Sequence, residues 1–123
     1  MALFSNLPVY KLGYDLLIDA HKRVKNFSRE HKFTLGEKIK EECVLMLIGI
    51  YKANRSKQEN RIQYIESSRE HLEILRLLFR IIKDLNVIGT KGFIHVNLKI
   101  EEVSKQLTSW EKFTARAVAE SSK

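Results

Sequence analysis

The chain reads as an all-α protein, an antiparallel up-down four-helix bundle that associates with copies of itself. Three observations lead there. Four long stretches repeat their apolar residues every three to four positions, and none alternates as a strand does. Short connections, "NFSREHKFT", "NRSKQ" and "NVIGTKG", separate them, so successive helices turn back beside one another. Two of the four carry more apolar surface than one bundle can bury, so a further copy is needed to cover the surplus.

The elements follow in order within one domain, residues 1–123. The first helix covers about 7–27 and has Pro8 in its first turn, where the missing N–H costs nothing. Leu7, Tyr10, Tyr14, Leu17, His21 and Val24 step along one face, which makes His21 a hydrogen-bonded core histidine. The second covers about 35–55. Thr34 and Glu37 open it in capping-box spacing, each side chain answering a free backbone N–H. Within it residues 43–51 are apolar in every direction except at Gly49, a site for close helix approach. The third covers about 57–86 with Gly89 as its stop signal. Its Leu72, Ile74, Leu75, Leu77, Leu78, Phe79, Ile81, Ile82 and Leu85 spread over an arc of roughly 220°. The fourth covers about 94–118, with Val96, Ile100, Val103, Leu107 and Trp110 in one stripe.

Composition agrees with a helical globular chain: 44% hydrophobic, 30% charged and one proline in 123 residues. The net charge of +7 and pI near 9.6 favour polyanionic partners such as RNA, DNA or an acidic surface. The lone Cys43 lies inside "CVLMLIGIY" and reads as a small buried hydrophobe. It suits a reducing compartment. No signal peptide is visible in "MALFSNLPVY". The apolar run 43–51 is far short of the roughly 18 residues a membrane span needs. The expectation is a soluble, cytoplasmic protein with no membrane partner.

Charge on the third helix is arranged, not scattered. Arg69, Arg76, Arg80 and Lys83 fall within about 60° of one another and run some 20 Å along it. A solvated face with Glu73 pairing to an arginine accounts for such a stripe. Arginine at three of the four positions also suits recognition, because guanidinium forks grip phosphates and carboxylates two-pronged. Further basic clusters are Lys22, Arg23, Lys25, Arg29 and Lys32, which close the first helix, and Lys52, Arg55, Lys57 and Arg61 around the second turn.

Catalytic chemistry finds little footing. His21, His31, His71 and His95 fit no paired-ligand spacing, and neither H-E-x-x-H, C-x-x-C nor a Glu-x-x-His pair occurs. Glu41 with Glu42, and Glu101 with Glu102, are adjacent pairs that diverge by about 100° on a helix. Tyr10, Tyr14, Tyr51, Tyr64 and Trp110 could stack on bases, but at helical spacing they read as core. A non-enzyme with no metal and no cofactor is expected.

"LPVYKLGYDLL", "FTLGEKIKEE", "IYKANRS", "LEILRLLFRIIKDLNVI" and "VSKQLTSW", in this order and spacing, cover roughly residues 7–112. Together they resemble the accessory variability determinant (Avd) proteins of diversity-generating retroelements. The resemblance implies a four-helix bundle assembled as a pentameric barrel with a basic surface. Such a protein binds the retroelement's reverse transcriptase and its template RNA, with the cDNA a further candidate partner, while the reverse transcriptase polymerises. The family's "LR-x-x-x-R" segment matches Arg76 and Arg80 in "LRLLFR", which implies nucleic-acid or polymerase contact there. Lys83 and Arg69 join them by geometry alone. The alternative is the related four-helix-bundle family encoded by intervening sequences in 23S rRNA genes, a structural or assembly module without nucleic-acid binding. Its second-helix pattern, of the "LRRAAVSIPANIAEG" kind, is replaced here by "KIKEECVLMLIGIYKANRS".

Overall fold

The computed structural model describes residues 6–121. Within them lie four long helices, one single-turn helix and no strand: α1 (Pro8–Lys25), α2 (Arg29–Lys32), α3 (Leu35–Arg55), α4 (Gln58–Asp84) and α5 (Thr90–Ser121). The long helices meet in cyclic order, α1 on α3, α3 on α4, α4 on α5 and α5 on α1, so α3 and α5 sit diagonally opposite. Contacts run in opposite sequence order across each seam. On α3–α4, Glu42 meets His71, Met46 meets Ser68 and Ala53 meets Arg61. On α4–α5, Arg69 meets Glu111, Arg76 meets Glu101 and Lys83 meets Phe93. The common core includes Leu16, Ile39, Met46, Ile50, Leu72, Leu75, Phe79, Ile82, Val96, Ile100, Val103 and Leu107. Each large apolar side chain removed from water contributes about 1.5–3 kcal/mol.

α1 buries Val9, Gly13, Leu16, Ala20 and Val24, a stripe rotated from the expected one. Tyr14 and His21 are exposed, so His21 is no core histidine. The reason is fit. Small residues face inward where α3 comes close: a Cβ on Gly13 would stand 3.1 Å from Leu47 Cδ2. Tyr14 stays outside beside Tyr10, ring centres 5.8 Å apart. Tyr51 is exposed as well, so the aromatic set is only partly core.

The capping box at α3 does not form. Thr34 Oγ1 donates back to the Glu30 carbonyl at 2.9 Å, within the connection that carries α2, and makes no cap bond. Glu37 pairs instead with Lys40 at 2.7 Å. α4 also stops differently from expectation. Asn86, not Gly89, adopts the left-handed conformation, with φ of 61°. Val87 N–H then reaches the Ile82 carbonyl at 2.8 Å and Asn86 N–H the Lys83 carbonyl at 3.0 Å, the paired bonds of a Schellman ending. Asparagine visits this conformation at less cost than other side-chain-bearing residues. α5 begins at Thr90, inside the segment expected to be a turn.

Gly49 does what its place suggested. Its would-be Cβ lies 2.9 Å from Ser68 Cβ and 3.2 Å from the Tyr64 carbonyl, so α3 and α4 touch almost backbone to backbone. Ser68 Oγ donates to the Met46 carbonyl at 2.7 Å in this seam. Cys43 is fully buried, and loss of solvent, reinforced by Glu42, pushes its thiol pKa up to about 12.

Candidate nucleic-acid interface

α4 exposes its basic stripe along the seam with α5, and α5 answers it with carboxylates. Arg69 Nη1 donates to Glu111 Oε2 at 2.7 Å and Oε1 at 3.2 Å. Arg76 is held from two sides: Nε donates to Glu73 Oε2 at 3.1 Å, and Nη1 donates to Glu101 of α5. Partial burial alone would lower the Arg76 pKa. Hydrogen bonds to Glu101 and Glu73 outweigh it, and the net shift is upward. Arg80 pairs along its own helix with Asp84 at 3.2 Å. Lys83 Nζ stands 5.0 Å from the Phe93 ring centre, within cation–π range.

The four residues thus share one side of α4, and three of them reach α5. The Glu73 partnership anticipated from spacing forms; Glu101 and Glu111 could not be anticipated, because they depend on the register of α4 against α5. Between the helices lies an open groove of about 530 Å³ lined by Glu73, Arg76, Leu77, Arg80, Phe93 and Asn97. Arg80 is the loosest of the four, its side chain 64% exposed. An ion pair so exposed is worth about 0–1 kcal/mol, so an incoming phosphate or carboxylate displaces Asp84 at little cost.

A second basic region gathers where α1 ends and α3 begins. Lys22 and Lys25 close α1, Lys32 closes α2 and Lys40 comes from α3; with His21 and Val24 they line a recess of about 370 Å³. Arg23 is tied to Asp19 at 3.2 Å and Lys40 to Glu37. Lys22, Lys25 and Arg29 have no carboxylate partner among the described residues.

The third cluster is largely structural. Arg61 Nε and Nη2 donate to the Ala53 and Ser56 carbonyls at 2.9 and 3.0 Å, closing the end of α3. Arg55 lies over Tyr51 and Lys52 over Tyr64. Among the described residues no group of three His, Cys, Asp or Glu side chains is placed to hold a metal ion. No described helix is long and apolar enough to cross a membrane.

The chain is thus an all-helical bundle with basic residues along the α4–α5 seam and around the end of α1. The sequence profile of the bAvd-like family matches residues 9–114, most of the chain, and the chain belongs to that family. No curated protein matches it. Among solved structures, the fold is similar to a protein of unknown function from the S23 ribosomal protein family of Bacteroides thetaiotaomicron VPI-5482. The TM-score is 0.79 at 15% identity, over 85% of this chain and 95% of that one. At that identity the likeness speaks for the fold alone.

Proposed function

We propose that this protein is a non-catalytic accessory of a diversity-generating retroelement. It binds the reverse transcriptase and its template RNA through basic surfaces and so supports mutagenic cDNA synthesis. The observation that carries the reading is membership of the bAvd-like family over residues 9–114. The α4 stripe supports it: Arg76, Arg80, Lys83 and Arg69 offer nucleic-acid or reverse-transcriptase contacts along one groove, and Arg80 exchanges its partner cheaply.

The bundle is antiparallel, up-down, and acts as a homo-oligomeric ring, a pentamer by family resemblance. The reversed contact order across the seams supports the first point. For the second, Val44, Ile48 and Tyr51 leave an exposed apolar stripe on α3, while Leu77 on α4 and Ile94 and Leu98 on α5 remain exposed beyond it. Because α3 and α5 are diagonal, one subunit can offer each face to a different neighbour, as a closed ring requires.

A second reading is an assembly module of the intervening-sequence type that binds no nucleic acid. It is favoured by one observation: Arg69, Arg76 and Arg80 all have carboxylate partners within the chain. RNA binding titrated across salt, for the native protein and the Arg76→Ala/Arg80→Ala variant, separates the two. Capture of the cognate reverse transcriptase is measured in parallel, with light scattering to check assembly. Under the accessory reading the native protein binds RNA with a steep salt dependence, and the variant stays assembled but loses polymerase or RNA. No binding to either partner leaves the assembly module.

A further inference from the structure

The chain's positive charge is concentrated in one place. Residues 21–40 hold seven Lys or Arg against two Glu, a formal +5 out of the whole chain's +7. The fold does not disperse this charge. It bends the segment through the end of α1, α2 and the start of α3, so that Lys22, Lys25, Lys32 and Lys40 ring the recess whose lining contains no carboxylate. The α4 stripe is the opposite case. Its three arginines pair with Glu73, Asp84, Glu101 and Glu111, and Lys83 lies over Phe93, so four carboxylates offset the stripe's four cations.

From this contrast we infer that the RNA backbone is held chiefly at the α1–α2–α3 end of the bundle, by Lys22, Lys25, Arg29 and Lys32, and that the α4–α5 groove is left to the protein partner. The inference rests on the RNA-binding reading above and refines where on the surface it happens. Two properties of the patch fit a nucleic-acid strand. It is lysine-rich, and lysines act as point charges without the fork geometry that picks out a particular group. It is also open and assembled from three helical elements, so it presents a run of charges to a run of phosphates, where an enclosed pocket would suit one free phosphate. Lys22 and Lys25 have no carboxylate partner among the described residues, so a phosphate approaching them displaces counterions only. Release of those counterions supplies the affinity. At the stripe Arg80 releases Asp84 readily, but a phosphate must evict the less exposed Glu111 at Arg69 and two carboxylates at Arg76.

The test is fluorescence anisotropy with a labelled single-stranded RNA across a salt series. It compares the native protein, Lys22→Ala/Lys25→Ala/Lys32→Ala, and Arg76→Ala/Arg80→Ala, with circular dichroism to check folding. With about 0.7 counterions released per single-strand phosphate contact, the lysine variant should show a log–log salt slope shallower by about 2 and at least about tenfold weaker binding. The arginine variant, whose side chains already hold carboxylates, should lose clearly less RNA binding than the lysine variant. Independently of any substitution, RNA should protect Lys22 and Lys25 of the native protein from acetylation. The placement is overturned if the lysine variant binds as native does while the arginine variant loses binding, or if RNA protects neither lysine. A native protein that binds no RNA, or that binds only anionic phospholipid vesicles, overturns the RNA-binding reading itself.

Discussion

Glu42 of α3 and His71 of α4 meet at 2.5 Å, Oε2 to Nδ1, with the carboxylate only 4% exposed. Lys38 reaches the other oxygen, Oε1, at 3.4 Å. A carboxylate this deep must keep its partners, because an unsatisfied buried acceptor costs more than a made hydrogen bond returns. Replacing His71 with alanine leaves Glu42 held by Lys38 alone. We expect His71→Ala to lower unfolding free energy by about 1–3 kcal/mol in urea melts. The double variant His71→Ala/Glu42→Leu should recover much of that loss, and failure to recover would place the stabilisation in packing rather than in the polar pair.

Gly49 and Gly89 should respond in opposite ways to the same change. Alanine at 49 drives a Cβ into Ser68 and the Tyr64 carbonyl, backbone that cannot step aside, so α3 and α4 must part at a cost of about 1–3 kcal/mol. Alanine at 89 meets nothing within 4 Å, and no glycine here has positive φ. There the smaller entropy of the unfolded chain offsets the loss of a good residue before α5, and stability changes by no more than about 0.5 kcal/mol. Thermal melts of the two variants decide it.

Cys43 gives the fold an alkaline weakness. Its thiol stays neutral in the folded chain up to about pH 12, against an ordinary value of 9.0. Below pH 9 both states hold the proton and stability is indifferent to this group. Between the two values the unfolded chain loses the proton while the folded chain keeps it, so stability falls as pH rises. At pH 10.5 the loss is about 2 kcal/mol. The difference between native and Cys43→Ala unfolding free energies, followed from pH 8 to 10.5, isolates this effect from other titrating groups. A difference independent of pH would refute it.

How much of this was legible in the sequence varied with the kind of contact. The α5 stripe Val96, Ile100, Val103 and Leu107 is buried as expected, because its apolar residues are large and lie on one line. The α1 face was misplaced because its buried positions include Gly13 and Ala20, which carry little hydrophobic signal and are chosen for closeness to α3. Local backbone choices were similarly ambiguous. Thr34 had two carbonyls and a cap within reach, and Asn86 competed with a glycine three residues on. The stripe on α4 was visible from periodicity. Its neutralisation was not, since Glu101 and Glu111 reach Arg76 and Arg69 only through the α4–α5 register.

The connection between α3 and α4 is only Ser56 and Lys57, and it sets an order of events in time. Closing so short a loop loses little chain entropy, whereas bringing α1 to α5, through Lys99 and Asp15 at 2.9 Å, closes most of the chain's length. We therefore expect the α3–α4 pair, held close at Gly49 and Ser68, to form the folding nucleus and α1 to dock with α5 afterwards. Ser68→Ala should slow refolding in stopped-flow experiments, while Lys99→Ala should leave that rate almost unchanged and speed unfolding instead. During synthesis, the α3–α4 hairpin would then be complete while α5 is still on the ribosome.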